Sequence, residues 1–133
     1  MGQQQLLLIV LGVIIVGIAV VVGINVFTAS ATEANRNAVI ADLTNLASMA
    51  QQHYRKPAAM AGGGNSFSTA HSGTAWSIPS QLASTANGSY TAVVSDQQVV
   101  LTGIGTEIGN NGTDSVQVTM TVTPTAISSV VNN

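Results

Sequence analysis

The chain of 133 residues contains no cysteine. Disulfides, thiolate metal sites and cysteine nucleophiles are therefore excluded. Charge is nearly as scarce. Lysine, arginine, aspartate and glutamate make up 6% of the residues, with three basic and five acidic side chains. A typical soluble domain carries about 25%. With so few basic groups the chain lacks the cationic face that nucleic acid requires. It also lacks the charge density of a disordered polar tail. Aromatics are only 4%, too few for a stacked aromatic conduit.

No catalytic constellation can be assembled from what remains. His53 and His71 are the only histidines, and they read as a solvated helix residue and a loop residue. Glu33, Asp42, Asp96, Glu107 and Asp114 are scattered, with no pair at ligand spacing. The glycine-rich "AGGGN" lacks the lysine and following helix of a phosphate loop. Trp76 reads as a buried anchor. No enzyme, no metal and no cofactor is expected.

Hydrophobic residues account for 46% of the chain, and their placement is uneven. Nineteen consecutive residues from Leu6 to Ile24 are Leu, Ile, Val, Ala or Gly, and the first charge is Glu33. As a helix the run spans about 28 Å, close to the ~30 Å hydrocarbon layer of a bilayer. It is long and uniform for the apolar part of a signal peptide, and no clear cleavage site follows. A helix apolar on every side needs lipid or protein around it, and this chain is too small to supply the protein itself. Gly12, Gly17 and Gly23 would admit close helix packing. Candidate core or membrane positions are Leu6, Leu7, Leu8, Ile9, Leu11, Gly12, Ile15, Gly17, Ile18, Val22 and Gly23. Gln5 is a candidate polar contact near the amino end. No basic residue precedes the run, so a processed chain or an omitted leader is expected.

From Asn25 to Arg55 there is neither proline nor glycine. Val39, Leu43, Leu46 and Ala50 fall on one helical face, widened by Ile40 and Ala47. Glu33, Arg36, Asn37, Asp42, Asn45 and Gln52 are expected largely off that stripe. Glu33 and Arg36 are spaced to pair. Arg55 and Lys56 suit a helix carboxyl end, and Pro57 with Gly62, Gly63 and Gly64 stops it. The pattern predicts one continuous helix from about Gln3 to about Arg55.

Beyond it, residues 57–89 read as a Gly/Ser-rich connecting loop anchored by Phe67, Trp76, Ile78 and Leu82. From Tyr90 the period becomes two. "YTAVVS", "QVVLTGI" and "SVQVTMTVT" predict three strands, the first two joined by a tight turn at Asp96-Gln97. The second and third are joined through "GTEIGNNGTD". Val116, Val118, Met120 and Val122 face one way, against Gln117, Thr119, Thr121 and Thr123 on the other. The tail after Pro124 lies on the surface or pairs at an edge. The expected fold class is α+β: a long N-terminal helix, apolar then amphipathic, with a small three-stranded antiparallel sheet packed on its second half. Val39, Leu43, Leu46 and Ala50 would meet Val116, Val118, Met120 and Val122 in the core. The divisions are residues 1–27, 28–56, 57–89 and 90–133. Asn87-Gly88-Ser89 and Asn111-Gly112-Thr113 match the N-glycosylation sequon and are also ordinary turn sequences. O-linked sugar on the Thr-rich sheet face is a further expectation.

"GQQQLLLIVLGVIIVGIAVVVGINVF", followed by the helix to Arg55, resembles a mature type IV pilin or pilin-like filament subunit. The likeness in sequence covers about the first 27 residues and in architecture the whole chain. It departs from the bacterial pattern. The glutamate usual five residues into the mature chain is replaced by Gln5, or by Leu7 if the chain starts at Gln3. A proline in the apolar helix is missing, with Val22 and Gly23 nearby, and so is a paired-cysteine loop. "GQQQ" fits the archaeal habit, whereas a helix-backed module is less typical of it, so both origins stay open.

The resemblance implies many copies in an extracellular filament at the cell surface, with apolar helices in its core. Before assembly it implies residence in the inner or cytoplasmic membrane, a leader peptidase and an assembly platform. The alternative reading is a single-pass membrane-anchored binding module, or a pseudopilin that forms no fibre.

Overall fold

The computed structural model describes residues 2–133. A single helix, α1, runs unbroken from Gly2 to Arg55. Its 54 residues correspond to about 80 Å. The missing glycine and proline between Asn25 and Arg55 explain its continuity, since nothing there removes a ladder bond or loosens the backbone.

Its end is closed by the glycine-rich turn. Pro57 cannot extend the helix, so the chain folds back. The N–H groups of Gly63, Gly64 and Asn65 then donate to the carbonyls of His53, Lys56 and Tyr54 at 2.8, 3.0 and 2.8 Å. "AGGGN" is thus a helix stop that satisfies otherwise orphaned carbonyls.

After a short 3₁₀ turn at Ala58–Met60 come five strands: β1 (Ser84–Thr85), β2 (Gly88–Val94), β3 (Val99–Ile108), β4 (Ser115–Val122) and β5 (Ile127–Val131). They form one antiparallel sheet in the order β1-β2-β3-β4-β5. The protein is therefore α+β, as the sequence predicts, but the sheet has five strands rather than three. β1 is two residues long, too short to show a period, and sits inside the segment read as loop. β2 also starts there, at Gly88. β5 is the tail after Pro124, paired at the sheet edge with Val122 opposite Ile127.

β3 runs four residues beyond the predicted strand, to Ile108. The register between β3 and β4 shifts between Ile104 and Ile108, marking a bulge. The helix supplies what the bulge lacks. Asn35 Oδ1 accepts from the backbone N–H of Thr106 at 3.1 Å and of Glu107 at 3.3 Å.

The buried face of the sheet meets the second half of α1 over β3 and β4. Val39, Leu43, Leu46, Ala47 and Ala50 pack with Val99, Leu101, Val116, Val118, Met120 and Val122. Phe67, Trp76 and Tyr90 close the core, with Ile78 and Leu82 packed at its margin. On β4 the burial alternates strictly, so Gln117, Thr119 and Thr121 lie on the outer face.

Two glycines set how closely helix and sheet approach. A Cβ on Gly103 would lie 2.8 Å from Val39 Cγ1 and 3.0 Å from the Tyr90 ring. A Cβ on Gly105 would lie 2.1 Å from Asn35 Oδ1. Gly103→Ala is expected to destabilise the module by about 1–3 kcal/mol, the usual cost of overpacking. Denaturant unfolding of the full chain in detergent measures it. Because Val39 is the clashing neighbour, Val39→Ala in the Gly103→Ala background should cost less than in the wild type.

Candidate functional site

Every residue from Gly2 to Ser30 is exposed. That is about 43 Å of helix with no tertiary cover. Leu6, Leu7, Leu8, Ile9, Leu11, Ile15, Ile18 and Val22 lie on it, and the large apolar side chains from Leu6 to Phe27 are 52–75% exposed. Gly12, Gly17 and Gly23 have nothing within 4 Å of a notional Cβ, so another helix can approach their backbone freely. Gln5 sits in the first turns, also exposed. This is the one stretch among the described residues long and apolar enough to cross a membrane, and none of it is buried. Exposed apolar surface on this scale is unusual for a chain standing alone in water and is consistent with membrane insertion.

Where the free half ends, polar side chains fasten the helix to the sheet. Thr32 Oγ1 donates to Ile108 O at 3.0 Å. Asn35 holds the bulge and donates from Nδ2 to Asn87 O at 2.9 Å. Arg36 was expected off the apolar stripe; instead it is buried. It lies three residues before Val39, hence on the core face, and its stem covers apolar surface while its two terminal nitrogens are paired and its buried Nε finds no partner among the described residues. Its guanidinium pairs with Glu33 and donates from Nη2 to Asn110 Oδ1 at 2.9 Å. At the far end Gln51 Nε2 donates to Thr123 O at 3.0 Å and Tyr54 Oη to Gln97 Oε1 at 2.8 Å.

Asp42 is the hub of the side carrying β1. Its Oδ2 accepts from Tyr90 Oη, from Asn87 Nδ2 at 3.1 Å and from Thr85 Oγ1 at 3.3 Å. Partial burial pushes this carboxyl up, but the three hydrogen bonds outweigh it and hold it below its ordinary 3.8. Burial and the Asp42 carboxylate push the Tyr90 phenol up. No spacing in the chain signals this group, because Thr85, Asn87 and Tyr90 are remote from Asp42.

The remaining polar candidates are held apart. His53 contacts Thr74 O, while His71 lies in the following loop 3.5 Å from the Asp96 carboxylate. No group of three or more metal-ligating side chains occurs among the described residues. Asn87 is half-buried with its amide on Asp42, whereas Asn111 is exposed in the β3–β4 loop.

Since folding lowers the Asp42 pKa, its contribution is present above pH 3.8 and is lost as the pH falls through the lower folded value. Urea midpoints of the full chain should therefore drop below pH 4, and Asp42→Ala should flatten that acid limb.

No protein family, curated protein or solved structure matches this chain. A long apolar N-terminal helix joined to an antiparallel sheet is compatible with a pilin-like fold, and the helix is consistent with membrane insertion.

Proposed function

We propose that the protein is the structural subunit of an extracellular type IV pilus-like filament. The observation that carries this reading is the bare apolar helix, Gly2–Ser30, fused without a break to a small, nearly uncharged module. Removing its side chains from water is favourable by tens of kcal/mol at ~25 cal/mol per Å². Lipid meets that demand before assembly. Other copies of the helix meet it afterwards, with Gly12, Gly17 and Gly23 admitting close backbone approach. The low charge of the module suits dense packing of identical copies, because any net charge repeats at every subunit.

Electron microscopy of material sheared from cells, with mass spectrometry of the same fraction, tests the reading. Thin filaments containing this chain are expected. A chain confined to the membrane pellet would instead identify a single-pass anchored module or a pseudopilin that forms no fibre. Gly17→Arg should abolish filaments, since it places an unpaired charge inside the helical core. Filaments at wild-type yield from that variant would remove the apolar helix from the core.

A further inference from the structure

The two sequons are presented very differently. Asn87-Gly88-Ser89 lies where β1 turns into β2. Its Asn87 amide donates to Asp42 Oδ2 at 3.1 Å, Gly88 is buried, and Ser89 is paired with both Ser84 and Ile104. An enzyme could reach this tripeptide only by pulling apart the sheet edge. Asn111-Gly112-Thr113 forms the exposed tip of the β3–β4 loop.

There Asn111 Oδ1 accepts the backbone N–H of Thr113 at 2.9 Å and of Asp114 at 2.9 Å, an Asx turn. Gly112 takes φ +73°, which lets the chain turn back. Asn111 Nδ2 donates one hydrogen to Asp114 Oδ2 at 2.9 Å, leaving the other unspent among the described residues. The Thr113 hydroxyl is exposed and makes no hydrogen bond among them. Arg36, which holds the neighbouring Asn110, stands twelve residues after Ile24 on α1. The loop is thus fixed about 18 Å along the helix beyond the apolar run.

We propose that Asn111, and not Asn87, is the acceptor of an N-linked glycan. This rests on the reading that the module faces away from the cytoplasm. The donor class is a membrane lipid carrying an oligosaccharide through a pyrophosphate. Asn111 Nδ2 forms a bond to C1 of the first sugar, and the C1–oxygen bond to the pyrophosphate breaks. The lipid pyrophosphate leaves with that electron pair, and one Nδ2 proton passes to the transferase's base. The second Nδ2 hydrogen remains for Asp114. The acceptor lies near the membrane surface, where such a donor resides, and the free Thr113 hydroxyl supplies the third sequon position.

Intact-mass and glycopeptide analysis of the full chain from its native cells tests this. The wild type should carry one glycan mass on the Asn111 peptide. Asn111→Gln and Thr113→Ala should both lose it, while Thr113→Ser and Asn87→Gln should keep it. Thr113→Ala is the decisive variant, because the Asx turn uses the Thr113 backbone N–H and survives the change. An unmodified Asn111 peptide in sheared filaments would overturn the acceptor assignment and leave the filament reading standing. A glycan on Asn111 in chains that never leave the membrane would support the acceptor assignment and overturn the filament reading.

Discussion

The module depends on how near α1 can lie to β3. Gly103 and Gly105 remove the side chains that would hold the two layers apart, and Val39 and Asn35 occupy the space. From that contact follow the buried stripe of α1, the covered face of β4 and the capture of the bulge by Asn35. A thicker residue at either glycine would lift the sheet away. It would strand the Thr106 and Glu107 N–H groups without the partner that now satisfies them.

Along one helix the same backbone geometry serves two different solvents. Val39, Leu43, Leu46, Ala47 and Ala50 are covered by the chain's own sheet and connecting loop, whereas residues 2–30 are all exposed. The division is drawn by composition alone, without a kink. Thr32, Asn35 and Arg36 mark it, each placing at least one hydrogen bond on β3 or the β3–β4 loop. The module is thereby anchored at the point where its cover begins.

Much of this was legible in the sequence. The 3–4 spacing of Val39, Leu43, Leu46 and Ala50, and the alternation through Val116, Val118, Met120 and Val122, are strong periodic signals, and all eight residues are buried. Period fails where elements are short or interrupted, as at Ser84–Thr85 and across the bulge. Arg36 departs from its expected place off the stripe because its spacing from Val39 puts it on the core face, where its long stem covers apolar surface. The Asp42 group was invisible for another reason. Its donors come from β1, β2 and the turn between them, more than forty residues away, and only the folded register brings them together.

The unbroken helix also acts as a shaft. With no glycine or proline between Asn25 and Arg55, there is no joint at which the sheet could swivel relative to the apolar half. The compass bearing of the module about the helix axis is therefore written in residue count. Adding or removing one residue in the stretch between Val26 and Ala31 would rotate the whole sheet by about 100° and shift it by about 1.5 Å along the axis. The apolar surface would be chemically almost unchanged. Whatever neighbours that surface meets, the sheet would then greet them with a different side.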